Sequence, residues 1–273
     1  MSDAFSPAEV SAALTALRRE PSHVTNLFLP EAEWRRLAAD GLLWTTQSPS
    51  GVAMVHRDGA LERVYFAAES CAGLARLLAV LPRGGARQVV DVVGKRGDVR
   101  ERVGAVLAAG FVRHATFQRM SGDGGGMGGR REGRAPADSE RCEPAHASDA
   151  LEIHDLMRAN LDPVSERIPD AADVERSIAE GRVLVVRIDG LMAAYLVFAI
   201  RGGTTTLRYW FVRPGYRGRA LGRMLLERYF ASQSTCRRFL LWVDEENARA
   251  ADAYRRAGYR EDGLVDVILS RDG

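Results

Sequence analysis

The stretch VRPGYRGRALGRML, Val212 to Leu225, joins two kinds of sequence. Before it, Thr204–Val212 is dominated by β-branched and aromatic residues and reads as a strand. Across and beyond it, Gly218–Ser232 has the apolar spacing of a helix. Pro214 cannot donate to a sheet ladder, so the strand ends near it. Gly218 and Gly222 allow backbone to approach a bulky anion, and the following helix offers unpaired N–H groups and the positive end of its dipole. Arg217, Arg219 and Arg223 add positive charge. A diphosphate fits such a turn. A plain strand–turn–helix with solvated arginines fits the stretch, taken alone, equally well.

A second stretch tips the balance. Asn247-Ala-Arg-Ala250-Ala251-Asp-Ala-Tyr254-Arg-Arg-Ala-Gly258-Tyr259 follows the strand-like Phe239–Val243 and reads as a helix stopped by Gly258. Asn247, Ala250 or Ala251, Tyr254 and Gly258 recur at helical spacing and share a face. Asn247 also suits the helix cap, and small alanines let a thin ligand lie close to the helix.

Together the two stretches resemble the GNAT superfamily of CoA-dependent N-acyltransferases. Val212, Pro214 and Arg217 through Gly222 follow the family's diphosphate segment. Asn247, Ala250, Tyr254, Gly258 and Tyr259 follow its second segment at every spacing. Ala220 departs from the pattern, taking a place the family usually gives to glycine. The resemblance covers roughly residues 139–273 in element order.

What the resemblance implies is an α/β (α+β) fold whose mixed, mostly antiparallel central sheet is flanked by helices. It also implies acetyl-CoA, or another acyl-CoA, as cosubstrate. Backbone at Phe211 and Val212 would pair with the pantetheine arm, and the segment Arg217, Gly218, Arg219, Ala220, Leu221, Gly222 and Arg223 would hold the diphosphate. Asn247 and Ala250 would lie against the cosubstrate, and Tyr254 would protonate the departing thiolate. A tyrosine, with a reference pKa of about 10, keeps the proton it must give. The general base stays open: Thr204–Val212 and Phe239–Val243 contain no carboxylate, leaving a water relay, a neutral substrate, or Glu166 or Asp170 from the loop Leu161–Asp170.

The rest of the chain reads as a second, thinner copy. Ala109-Gly110-Phe111 closes a helix and opens a strand, as Ala257-Gly258-Tyr259 does, and the element orders before these points match. Aligning Gly110 with Gly258 sets Val99 opposite Asn247 and Val106 opposite Tyr254, so the copy lacks both site residues. The expected division is a degenerate, non-catalytic GNAT-like domain at 1–120, a Gly/Arg-rich flexible linker at 121–138 and a catalytic domain at 139–273.

Bulk properties narrow the function classes. The net charge over 273 residues is only +2, which argues against nucleic acid as a partner despite Arg130, Arg131 and Arg134 in the linker. Three cysteines without a CxxC pair, and histidines without ligand spacing, indicate neither disulfides nor a metal. The start of the chain has no signal-like pattern and no run reaches membrane-span length, so a cytoplasmic enzyme with no membrane partner is expected. The expected acceptor is the primary amine of a small metabolite or amino-acid-like molecule, attacked directly because neither motif contains a cysteine. Acetylation of protein N-termini or lysines, or a CoA-binding regulator without turnover, are the alternatives.

Overall fold

A computed structural model describes residues 7–123 and 141–273. The first half contains α1 (Pro7–Leu17), β1 (Val24–Thr25), α2 (Glu31–Ala39), β2 (Leu43–Ser48), β3 (Gly51–Asp58), β4 (Leu61–Ala68), α3 (Cys71–Ala79), β5 (Arg87–Lys95), α4 (Val99–Ala108) and β6 (Val112–Asp123). The second half contains β7 (Arg141–Pro144), α5 (Ala150–Asn160), α6 (Ala171–Ala179), β8 (Val183–Ile188), β9 (Leu191–Arg201), β10 (Thr204–Val212), α7 (Leu221–Ser232), β11 (Arg238–Asp244), α8 (Ala248–Arg256) and β12 (Arg260–Arg271).

These elements form two compact units. Unit 1 runs to Phe117 and takes in Gly263–Gly273; unit 2 spans Gln118–Asp262. This departs from the expected boundaries at 1–120 and 139–273. The last strand is written in the second half but pairs antiparallel with β5 of unit 1, from Leu264 opposite Lys95 to Arg271 opposite Gln88. Val265, Val267 and Leu269 of that strand pack in unit 1's core, so burial decides where the segment belongs. The first three residues of the expected linker, Ser121 to Asp123, belong instead to β6. The remainder of that segment, with Arg130, Arg131 and Arg134, lies outside the described residues.

Each unit is a sheet with helices on both faces. In unit 1 the strand order is β2-β3-β4-β5-β12, antiparallel except for β4 against β5. Alternation sorts its side chains: Val64, Phe66 and Ala68 enter the core with α3 and α4, while Tyr65 and Ala67 face that of α1 and α2. In unit 2 the order is β11-β10-β9-β8-β7, again with one parallel pair, β10 against β11. Leu225, Tyr229 and Tyr254 bring α7 and α8 onto one face, and Ile153, Met157 and Val174 bring α5 and α6 onto the other. The β8–β9 hairpin turns at Asp189 and Gly190, with φ of 51° and 79°, the left-handed pair that matches strand twist.

The parallel pairs are short in both units. β10 is paired with β11 from Thr204–Arg238 to Leu207–Leu241 and no farther. A bulge explains the departure: Leu207 faces Phe198 and Tyr209 faces Val197 on β9, so Arg208 is an extra residue that bends β10.

Candidate functional site

Beyond Leu207 the β11 side of β10 is an open ladder edge, and the strand runs on to Val212. The connection to α7 then carries a short helical turn at Pro214–Tyr216. The helix expected from Gly218 begins instead at Leu221, and Ala220 is its cap residue, in the left-handed conformation at φ 63°. Gly218 is left-handed too, at φ 85°. For a residue with a Cβ this conformation costs about 1–2 kcal/mol. The alanine therefore does not ease helix formation, as its propensity alone suggests; it holds a strained cap where glycine is at home.

The cap residue Ala220 offers α7 no side-chain hydrogen bond, as an alanine cannot, so its first amides lack the usual side-chain cap. In front of them lies a cavity of about 590 Å³, lined by Trp210, Phe211 and Val212 of β10, by Arg217, Gly218, Ala220, Leu221, Gly222 and Arg223, and by α8. Of the expected cosubstrate residues, all but Arg219 line it. Arg219 lies over the Tyr216 ring, 5.9 Å from its centroid. Arg217 donates to the Val212 carbonyl at 3.2 Å, and Arg223 is 3.4 Å from Glu227.

Two glycine and helix-face readings change. Gly222 is needed less for an anion than for a neighbour: a Cβ there would come within 2.5 Å of the Trp210 indole. On α8 the expected shared face divides. Asn247, Arg249, Ala250, Ala253 and Arg256 line the cavity, while Ala251 and Tyr254 turn into the core. Asn247 caps the helix, its side-chain oxygen accepting from Ala250 N–H at 3.1 Å. The contributions of Arg249, Ala253 and Arg256 were legible as a second helical stripe but carried no motif.

Tyr254 does not line this cavity. It is 6% exposed, with its ring 5.2 Å from Trp210 and 5.9 Å from Tyr259. Burial, and secondarily the charge of Glu166, push its hydroxyl above the ordinary phenol range, so it stays protonated at neutral pH.

Glu166 is the carboxylate brought to this place. The loop between α5 and α6 is tied over β10: Tyr209 donates its hydroxyl to the Arg167 carbonyl at 2.6 Å, and Val164 is buried. Glu166 N–H donates to Asp162 at 2.9 Å within the loop. The Glu166 charge is felt by Tyr195, Tyr209 and Tyr254. Burial raises its pKa to about 7, against the lowering pull of Arg208 and with added repulsion from Asp162 and Asp244. Asp170, the other candidate from this loop, is committed to capping α6, accepting from Asp173 N–H at 2.8 Å. Asp244 is the last residue of β11 and accepts from Glu246 N–H at 3.0 Å.

Among the described residues no cluster of three or more His, Cys, Asp and Glu could hold a metal, and no helix is long and apolar enough to cross a membrane.

Comparisons with known proteins agree with this architecture. Residues 151–259 match the model of the acetyltransferase (GNAT) family. No curated protein matches the sequence. Among solved structures, a Drosophila protein is similar over 97% of this chain and 96% of its own, at 16% identity and a TM-score of 0.59. A tandem GNAT protein from the clavulanic acid biosynthesis pathway is similar over 84% of this chain and 82% of its own, at 16% identity and a TM-score of 0.59. A GCN5-related N-acetyltransferase from Sphaerobacter thermophilus is similar over 100% and 95%, at 15% identity and a TM-score of 0.59. The bent β10, the uncapped α7 and the matched segment coincide in unit 2, and residues 151–259 form a domain of the acetyltransferase (GNAT) family.

Proposed function

We propose that the protein transfers a short acyl group, most simply acetyl from acetyl-CoA, to the primary amine of a small metabolite or amino-acid-like molecule. The observation that carries this reading is the course of β10: its ladder edge is open after Leu207 and leads to the uncapped start of α7. An extended amide-bearing arm can pair with that edge as an added strand, and a diphosphate suits the amides and arginines beyond it.

Acyl-CoA supplies the activated thioester. The chain's own groups supply binding and proton handling. Glu166, with a pKa raised to about 7, takes a proton from the incoming ammonium and leaves a neutral amine. The nitrogen lone pair then attacks the acyl carbon, the carbon–sulfur bond breaks, the thiolate receives a proton, and the new amide nitrogen releases its surplus proton to water, from which the donor is reprotonated. Tyr254 is the donor we assign, with Trp210 beside it forming the wall of the cosubstrate cavity. The partly buried position of Glu166 within the α5–α6 loop favours a small acceptor over a folded protein surface.

A second reading, a CoA-binding regulator without turnover, draws on one observation: Tyr254 sits behind Trp210, outside the cavity lining. An acetyl-CoA consumption screen against amino acids, polyamines, aminoglycosides and peptides separates the two. Thiol release with a small amine, lost in Glu166→Gln and slowed in Tyr254→Phe, is the expected result. Tight acetyl-CoA binding without release on any amine would leave the regulator.

A further inference from the structure

Unit 1 repeats the plan of unit 2, including a parallel strand pair that stops early. β4 is paired with β5 only from Leu61–Arg87 to Arg63–Val89. In unit 2 the edge beyond this point is open; in unit 1 it is occupied. The chain between α1 and α2 enters the gap as β1, antiparallel to β4, with Val24 opposite Ala68 and Thr25 opposite Ala67. Asn26 follows as a wedge between the two parting strands. Its backbone N–H donates to the Phe66 carbonyl at 3.2 Å, and its side-chain oxygen accepts from Phe66 N–H at 2.6 Å. Its side-chain NH₂ donates to the Val64 carbonyl on β4 at 3.1 Å and to the Asp91 carbonyl on β5 at 3.0 Å. Thr25 Oγ1 also donates to the Phe66 carbonyl, at 2.8 Å. Asn26 is only 2% exposed.

An asparagine side chain is a primary amide with one acceptor and two donor hydrogens, and all of them are used here on backbone groups. It therefore satisfies the ladder groups that an added peptide-like strand would otherwise claim. The helix end is closed as well. Only Glu69 and Ser70 separate β4 from α3, and Ser70 Oγ accepts from Gly73 N–H at 3.1 Å, capping the helix from within.

We propose that the segment Val24–Asn26 is a built-in occupant of unit 1's strand gap, with Asn26 as its clamp, so that the chain takes up a single acyl-CoA, at unit 2. The stoichiometry rests on the acyl-CoA reading of unit 2; the clamp does not.

Calorimetric titration of the full chain with acetyl-CoA is expected to give one equivalent, and two equivalents would overturn the proposal. Hydrogen exchange locates the site without any substitution. Acetyl-CoA should slow exchange around Tyr209–Val212 and leave Val64–Ala68 unchanged; slowing at Val64–Ala68 would overturn the closed gap. Without ligand, Asn26→Ala should speed exchange at Phe66 by at least about tenfold, because its N–H loses its acceptor. Equal exchange at Phe66 in both proteins would overturn the clamp. If acetyl-CoA slows neither segment, the reading of unit 2 fails, and the Phe66 comparison still decides the clamp.

Discussion

The α1–α2 connection of unit 1 and the α5–α6 connection of unit 2 hold the same place in two matching element orders and do opposite things. The first pushes Asn26 between β4 and β5 and uses up the backbone groups there. The second stays over β10 by the Tyr209–Arg167 bond, brings Glu166 near Tyr254, and leaves the strand edge open. One loop closes a slot and its counterpart equips one. A gap between parting strands is thus a property of the fold, and its use is decided by the side chain the neighbouring loop delivers.

The largest effect expected from breaking this contrast is at Glu166. Glu166→Gln should lower kcat by about 10²–10⁴-fold, the usual worth of a general base, with little change in the acetyl-CoA dissociation constant. In the wild type the rate should rise with pH through about 7, where the carboxyl loses its proton, and then level off; the variant should lose that limb. A stability corollary has a definite sign. Because the folded pKa lies above the ordinary 4.5, the contribution of Glu166 to stability is full below that value and is lost as pH rises through about 7. Glu166→Gln should accordingly gain thermal stability over the wild type at pH 8 and not at pH 4. A pH–rate profile unchanged by the substitution would remove Glu166 from the chemistry.

Asn26→Ala attacks the other loop. It strands buried partners on both strands, and by the usual cost of unpaired buried groups should destabilise the protein by about 2–3 kcal/mol in denaturant titration. Acetyl-CoA turnover per folded molecule should hold. A loss below about 0.5 kcal/mol would mean that the wedge is incidental.

Gly222→Ala sharpens the open side. The new methyl meets Trp210, which must move into or away from the cavity. Acetyl-CoA affinity should fall by about 1–2 kcal/mol, the ordinary cost of overpacking, with a shift in tryptophan fluorescence. Unchanged binding together with an unchanged spectrum would contradict the packing described.

The smallest effect belongs to Ala220→Gly. Releasing the left-handed strain should offset glycine's extra chain entropy and raise stability by up to about 1 kcal/mol, with acetyl-CoA affinity held. A fall in melting temperature would show that the cap is not strained.

Much of this was legible in the chain itself. The strand at Thr204–Val212, the helix stop at Gly258 and the turn at Asp189-Gly190 follow from local chemistry: β-branched and aromatic runs, glycine ends, a left-handed pair. The two spaced segments marked the cavity walls, since fixed residue spacings on a helix and a turn survive folding unaltered. Less legible was anything two residues long or set by a distant neighbour. β1 has no periodicity to read, and the start of α7 moved by three residues because Ala220 adopts a backbone state that alanine rarely takes.

Sequence alone determined most of the elements, the repeat of their order, and the residue types at the turn before α7 and on α8, because these rest on contacts a few residues apart. Tertiary structure decided the rest. Burial sent Gly263–Gly273 to the unit encoded by the first half, the bulge at Arg208 opened β10, and packing against Trp210 explained Gly222. Only the folded loop shows Asp170 accepting at a helix cap and the charge of Glu166 reaching Tyr254. Such choices depend on desolvation and on groups far apart in the chain, and no local pattern encodes either.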